Sequence, residues 1–426
     1  MPRIVVVGGG WAGCAAALAA KKAGAEVILV ERTDCLLGTG LVGGIMRNNG
    51  RFTAAEEMIA MGGGDLFRLA DQVARHTNVE FPGHKHATLY DVALMEPTVR
   101  RYLLEQRVKL WMMARARDVK MTDKRLEAVV LADGERLEAD AFVEATGTAG
   151  PQGNCAKYGN GCAMCVLRCP SWGGRVSIAA RAGVQEMMGR KPDGSIGAMS
   201  GACKLHKDSV DPGIVAELNR TGVAVVPIPK ELVHAEKLAI KACQQYALPA
   251  FAQNLVLLDT GHVKLMTSFY PLDELRRIPG MENARYEDPY AGGKGNSVRY
   301  LALSPRDDYL KVEGLDNLFC AGEKAGLLVG HTEAICTGTL AGHNAVRCAL
   351  GRPLATIPRA TAVGEAIAYV RERMQTEEGM TKKYTFSGAV YFERMKELGT
   401  YTTDVEVIRR RVEEAGFKDF FAQEVR

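Results

Sequence analysis

Four cysteines, Cys155, Cys162, Cys165 and Cys169, fall within the seventeen residues NCAKYGNGCAMCVLRCP, in the pattern C-x6-C-x2-C-x3-C-P. Thiolates crowded this closely suit a short list of chemistries. They can wrap a compact iron–sulfide cube, one thiolate to each iron. They can hold a structural zinc ion, although such sites usually add a second, well-separated C-x2-C. Cys162 and Cys165 can also form a dithiol/disulfide pair, or the thiols can be inert. Gly159, Gly161, Gly173 and Gly174 allow the sharp turns a wrapped loop needs, and Lys157 and Arg168 could offset negative charge.

The second pattern opens the chain. In RIVVVGGGWAGCAAALAAKKAGAEVILVER, Gly8, Gly10 and Gly13 have G-x-G-x-x-G spacing. The apolar run before them, Ile4–Val7, predicts a strand buried on both faces. The alanine-rich run from about 12 to 23 predicts a helix stopped by Gly24, and Val27–Val30 a second strand ending at Glu31. Each part has a task in holding a dinucleotide. Gly8 makes the tight turn, Gly10 lets the backbone approach a pyrophosphate, and Gly13 lets the helix pack closely on the strand. The helix N-terminus offers free N–H groups and a positive dipole end to the phosphates. Glu31, about twenty residues on, is placed to hydrogen-bond a ribose hydroxyl.

Two further segments extend this unit. ADAFVEATGTAG, 139–150, reads as a strand ending in Ala145-Thr146-Gly147. GLDNLFCAGEKAGLLVGHTEAICTGTLAGHNAV, 314–346, reads as a short strand (Leu318–Cys320), Ala321-Gly322-Glu323, a glycine-rich loop and a helix of small residues. With these the chain resembles the two-dinucleotide-fold flavoproteins of the glutathione-reductase class. More closely, it resembles the FAD-dependent oxidoreductases related to glucose-inhibited division protein A, over about 1–150 and 295–350. The resemblance implies FAD. It implies that Gly8, Gly10, Gly13, Glu31 and Arg32 touch the ADP moiety and that Thr146 and Gly147 line the cofactor. It places Gly322 and Glu323 near the ribityl chain or pyrophosphate. Gly330, His331 and Thr332 would precede the last helix, whose dipole would stabilise negative charge on a reduced flavin. His331 reads equally as a satisfied loop histidine.

Electron entry then needs a route. The C-x4-C pair of flavin-linked disulfide reductases is absent after the first βαβ unit, and no second strand–GxGxxG–helix for a nicotinamide is visible. The last three cysteines and the proline resemble the tail of the bacterial ferredoxin ligand run. The expected function is therefore a FAD-dependent oxidoreductase with a [4Fe–4S] cluster on Cys155, Cys162, Cys165 and Cys169. It would couple one-electron transfer, with a ferredoxin-like protein as redox partner, to two-electron redox chemistry on an unidentified substrate such as a small molecule, or run the reverse. The alternative is an RNA-modifying flavoenzyme, since the chain also resembles the folate/FAD-dependent tRNA uridine methyltransferases and the wobble-uridine modification enzymes. In the former a cysteine lies in the loop that here reads GGIMRNNGRF, and this loop has none. A third reading is a flavin-bound scaffold or redox sensor.

These groups need a scaffold. The expected fold is α/β: a glutathione-reductase-type FAD-binding Rossmann-like domain with an inserted α+β substrate domain and a helical C-terminal segment. The expected parts are 1–153 and 295–350 for the FAD domain, 154–294 for the cysteine loop and substrate domain, and 351–426 for the helical segment. Helices are expected near 54–61, 65–75, 96–106, 215–219 and 236–246, with a hairpin turning at Asp133-Gly134. TDVEVIRRRVEEAGF reads as an amphipathic helix ended by Gly416. Arg47, Asn48, Asn49 and Arg51 would run beneath the flavin in this fold and could anchor an anionic or polar substrate; Arg306 could also face the ring. Arg409, Arg410 and Arg411 read as a solvated face rather than a phosphate site.

The composition of the 426 residues, 47% hydrophobic and 24% charged, is ordinary for a globular chain. A net charge of +4 neither argues for nor excludes nucleic acid. No apolar run reaches the roughly 18–20 residues of a membrane helix. The N-terminus enters a strand without a leader, and eleven cysteines without a secretory signal point to a reducing, cytoplasmic setting.

Overall fold

The continuous apolar run Ile4–Val7 has its reason in the sheet: it lies in the central strand of five parallel strands and is buried throughout. The computed structural model describes residues 1–148, 171–191, 193–196, 198–199, 203–238, 244–266, 270–287, 298–299 and 301–426. Strands of three or more residues are labelled β1 (Arg3–Val7), β2 (Glu26–Val30), β3 (Ala74–Phe81), β4 (His84–Tyr90), β5 (Lys109–Trp111), β6 (Ala116–Thr122), β7 (Arg125–Leu131), β8 (Arg136–Glu138) and β9 (Ala141–Glu144). They continue as β10 (Cys203–Leu205), β11 (Val223–Pro227), β12 (Asn254–Asp259), β13 (Val263–Leu265) and β14 (Leu318–Cys320). Helices of eight or more residues are α1 (Trp11–Lys22), α2 (Gly50–Ala60), α3 (Asp65–Gln72), α4 (Val92–Glu105), α5 (Pro212–Thr221), α6 (His331–Ala349), α7 (Ala362–Met374), α8 (Ala389–Glu397) and α9 (Val405–Glu414).

The main sheet runs β14-β9-β1-β2-β5, with Val5 beside Phe142 and Ile28 and Val143 beside Phe319. The chain leaves β1 for β2 on one side, while β9 enters on the other. That change of direction opens a crevice at the C-terminal ends of β1 and β9, where this class of sheet binds ligands. The chain stays tied there: Gly8 N–H donates to the Val30 carbonyl and Ala145 N–H to the Val7 carbonyl, both at 2.8 Å. The meander β6-β7-β8 turns at Asp133-Gly134, as its sequence indicates.

A second body contains two antiparallel sheets. One runs β10-β13-β12-β11; the other pairs Ile45–Met46 with β4 and β3. Ile45, Val79, Leu89, Phe251, Val256 and Leu258 form a shared apolar cluster between them. The helix expected over 65–75 stops at Gln72, because the chain from Ala74 to Tyr90 is a hairpin. The helix expected from 96 starts at Val92, where the Asp91 carboxylate accepts from the Ala93 and Leu94 N–H groups at 3.0 and 3.2 Å. Where one helix over 236–246 was expected, the described residues show two single turns, Ala235–Leu238 and Gln244–Tyr246. Among the described residues no helix is long and apolar enough to cross a membrane.

Candidate functional site

The three glycines of the first loop have different physical duties. Gly8 has φ +105°, and a Cβ there would sit 2.4 Å from the Ala145 carbonyl oxygen. A Cβ on Gly13 would sit 1.8 Å from the Gly8 carbonyl oxygen. Gly8 therefore serves close packing of the loop on the end of β9, and Gly13 close packing of α1 on that loop. A Cβ on Gly10 would meet none of the described residues within 4 Å. Gly10 is the N-cap of α1 and supplies no side-chain cap, so it leaves open space over a helix N-terminus. Glu31 is held beside that loop: one carboxylate oxygen accepts from Gly9 N–H at 2.8 Å, the other from Thr33 N–H and hydroxyl at 2.9 and 3.0 Å. Arg32 donates to the Gly173 carbonyl.

The segment after β9 closes the other side of the crevice. Gly147 has φ +71°, and a Cβ there would meet none of the described residues within 4 Å. The Thr146 hydroxyl donates to Glu144 at 2.8 Å, and the Thr148 hydroxyl to Glu323 at 2.6 Å. Gly322 N–H donates to the Thr337 hydroxyl at 2.9 Å, and a Cβ on Gly322 would lie 2.9 Å from the Ala12 Cβ. Thus 321–323 lie against the first turn of α1.

A second helix N-terminus joins the first. Cβ atoms on Gly338 and Gly342 would lie 2.2 and 2.1 Å from the carbonyl oxygens of Ala12 and Ala16, so α6 and α1 pack backbone to backbone. Both helices advance by four residues in the same sense, so they are parallel. Trp11 is then level with Thr337, and α6 runs on through 331–336, roughly 9 Å past the start of α1. Gly330, its N-cap, has φ +145° and gives no side-chain cap. The His331 ring packs on Gly43 and on the Trp11 ring, with centroids 5.8 Å apart. The Thr332 hydroxyl faces the Met46 sulfur at 3.9 Å. Two uncapped N-termini, offset along one direction, fit a ligand with a diphosphate at the first and a further electron-accepting group at the second.

The five polar residues expected to meet substrate are all bonded within the protein. Arg47 grips Asp71 (2.8 and 3.0 Å) and Glu56. Asn48 meets the His84 Nδ1 at 2.9 Å; Asn49 donates to the Gly83 and Ser387 carbonyls, both at 2.9 Å. Arg51 donates through Nε to Glu333 at 3.1 Å and through Nη2 to the Thr385 hydroxyl at 3.1 Å. Arg306, 2% exposed, donates to the Ala325 and Ile367 carbonyls, both at 2.9 Å. Burial pushes His84 down to about 4, so the ring is neutral; its Nε2–H donates to the Gln245 carbonyl at 3.0 Å and its Nδ1 accepts from Asn48. At the C-terminus Arg411 pairs with Glu57 at 3.3 Å and Arg409 with Glu406 at 2.7 Å.

Several charged residues that sequence reading passed over sit under the crevice. Glu144 is fully buried, accepts from Ala179 N–H at 2.8 Å, and lies with Arg175, Glu186 and Lys324. Burial lowers the Lys324 amine to about 7. Glu333 is fully buried in the first turn of α6. The available signal was charge set inside apolar or small-residue runs, FVEATG, AGEKAG and HTEAIC. Cys155, Cys162, Cys165 and Cys169 lie outside the described residues, as does Cys243. Among the described residues no group of three or more His, Cys, Asp or Glu side chains could hold a metal ion.

The family described as glucose inhibited division protein A matches residues 3–247 and 252–353. Aquifex aeolicus GidA, in its form II crystal, superposes with a TM-score of 0.65 at 18% identity, covering 98% of this chain and 72% of that one. Three similar proteins are named methylenetetrahydrofolate–tRNA-(uracil-5-)-methyltransferase. That of Dinoroseobacter shibae is 36% identical over 96 residues, 22% of this chain and 21% of the relative. That of Methylobacterium radiotolerans is 39% identical over 97 residues (22% and 19%), and that of Synechocystis sp. 32% over 133 (30% and 25%). The matched part is thus about a quarter or less of each relative's length. These names correct the expected function. The relatives are tRNA methyltransferases, which overturns the expected iron–sulfur oxidoreductase passing single electrons from a ferredoxin-like donor. With the matching residues spanning most of the sequence, and the fold matched along nearly all of it, this protein belongs to the glucose inhibited division protein A family and has its FAD-binding Rossmann-like fold.

Proposed function

We propose that this protein is a FAD-dependent RNA-modifying enzyme that acts on a uridine base of tRNA. The observation that carries the reading is its 32–39% identity, over stretches of about a hundred residues, to enzymes named for methylating that base, within a family match across most of the chain. The paired N-termini of α1 and α6 support FAD as the cofactor. In this reading the amides at Gly10–Ala12 bind the pyrophosphate, and Glu31 binds the adenosine ribose. Thr146, Gly147, Gly322 and Glu323 line the middle of the cofactor. The start of α6, at Gly330–Thr332, holds negative charge on the reduced ring. Bound FAD supplies two-electron redox chemistry at that place.

The loop 43–52 carries Arg47 and no cysteine, so activation of the base does not draw on a thiol from this loop. We assign substrate binding to the body that joins the 45–90 sheet to the 203–266 sheet, since its edge at Gly43 meets His331. The test uses FAD-loaded protein, unmodified tRNA transcript, methylenetetrahydrofolate and dithionite as a direct chemical reductant of the flavin, with nucleosides analysed by mass spectrometry. The expected product is a uridine heavier by one methyl group, formed only with protein, folate and reductant together. Unchanged nucleosides from protein that holds FAD and binds the transcript refute the reading.

A further inference from the structure

We infer that Arg51 and Glu333 are a positioning pair that sets the charge at the N-terminus of α6, and through it the electron affinity of a flavin held there. The inference rests on the FAD reading above. Glu333 is the third residue of α6, and its carboxylate is wholly buried. It accepts from the Thr385 hydroxyl at 2.6 Å, the Phe386 N–H at 2.9 Å and Arg51 Nε at 3.1 and 3.2 Å. A full negative charge in the first turn more than cancels the half-charge of the helix's positive end. Alone, it would make this N-terminus repel electrons from a nearby acceptor. The Arg51 guanidinium restores the balance.

The pair lies against the helix's N-cap residue. A Cβ on Gly330 would be 2.0 Å from a Glu333 carboxylate oxygen and 2.1 Å from Arg51 Nη2. Arg51 is also fixed from behind. Its Nη1 donates to Asn48 Oδ1 at 3.3 Å, and Asn48 in turn donates to His84 at 2.9 Å. His84 is neutral because burial pushes it down to about 4, so it adds no competing charge. The loop that presents these side chains has left-handed backbone at Arg47 (φ +61°) and Asn49 (φ +53°). Such conformations persist only where surrounding bonds overdetermine them, and they gather at functional sites. The remaining charges close by, Arg47 with Glu56 and Asp71, are paired among themselves.

A buried ion pair with a purely structural task would behave differently from one that tunes a neighbour. Removing either partner of a structural pair harms the site in the same direction. Removing opposite charges beside a flavin shifts its electron affinity in opposite directions. Sulfite is a suitable probe: it bonds to an oxidised flavin through sulfur, and the displaced electron pair makes the ring an anion. The experiment measures sulfite affinity, by bleaching of the visible flavin band, and flavin midpoint potential, on FAD-loaded full-length protein. Arg51→Gln is expected to weaken sulfite binding at least about tenfold and lower the potential. Glu333→Gln is expected to tighten binding and raise the potential. Arg51→Lys should stay near wild type, and so should the double variant Arg51→Gln/Glu333→Gln, which removes both buried charges together. If one single variant does not fold, the other carries the sign test: Glu333→Gln must raise the potential and tighten sulfite binding, or Arg51→Gln must do the reverse, and a shift of the opposite sign or none overturns the pair's role. Single variants that move both readouts the same way, or a double variant displaced as far as Arg51→Gln, overturn the pair's role. A wild type that takes up no FAD overturns the flavin reading itself, and this inference with it.

Discussion

Replacing Gly10 with alanine separates folding from binding in the first loop. The N-cap backbone has φ −68° and ψ −177°, which alanine adopts freely, and the added methyl group meets no atom of the described residues within 4 Å. Folding stability in the absence of ligand should therefore change by no more than about 0.5 kcal/mol. Binding is another matter, because the methyl group fills the space through which a pyrophosphate reaches the α1 amides. Losing that approach should weaken FAD binding about a hundredfold, or about 2.7 kcal/mol. The assay is thermal denaturation with and without FAD. At a concentration 100 times the wild-type Kd, FAD stabilises wild type by about 2.7 kcal/mol. The variant, then at its own Kd, gains only about 0.4 kcal/mol, so its ligand-induced shift almost vanishes. Gly13→Ala is the control: its Cβ would lie 1.8 Å from the Gly8 carbonyl oxygen, so the apo fold itself should lose about 3 kcal/mol. If Gly10→Ala binds FAD within threefold of wild type, the open space above α1 is not the pyrophosphate site.

Other perturbations test the packing that positions this site. Glu57 is buried and accepts from the Ala362 and Val363 N–H groups at 2.9 and 3.0 Å and from Arg411 at 3.3 Å. Glu57→Ala should lower the urea-unfolding free energy by about 3 kcal/mol, since it orphans buried donors on two elements. Gly338→Ala would press a methyl group to 2.2 Å from the Ala12 carbonyl oxygen. It should part α6 from α1 and weaken FAD binding as well as stability, both read by melting with and without FAD. His343 packs against Phe420 and Phe421, neither ring nitrogen finds a hydrogen-bond partner among the described residues, and burial lowers it from 6.5 to about 4. A depressed histidine means the unfolded chain takes up a proton first, so stability falls as pH drops from 6.5 towards 4. His343→Phe should remove about 2 kcal/mol of the loss between pH 6.5 and 5, measured by urea midpoints; an unchanged pH dependence would show that His343 does not titrate this way.

The parts of the fold legible in the sequence are those fixed by local chemistry. Gly8 and Gly13 announce themselves because no other residue fits so close to a carbonyl, and the apolar run of β1 announces a strand without a solvent face. Asp133-Gly134 marks its hairpin for the same local reason. The β3–β4 hairpin was passed over although Pro82-Gly83 marks a turn between its strands, because its alternation is mostly polar. Arg51 and Arg306 could not be placed from sequence. Their partners lie 282 and up to 61 residues away, and an arginine beside a ligand loop looks the same whether it meets substrate or a buried carbonyl. Glu333 was hidden likewise: an acid in a first helical turn usually faces solvent, and only tertiary packing turns it inward.

The proposed function requires one ligand that bridges the N-termini of α1 and α6. Hydrogen–deuterium exchange of the full chain with FAD, and separately with ADP, measures this directly. FAD is expected to slow exchange at the amides of both 9–13 and 330–333, whereas ADP should slow only 9–13. Protection of 9–13 alone by FAD, or of neither segment, would contradict it.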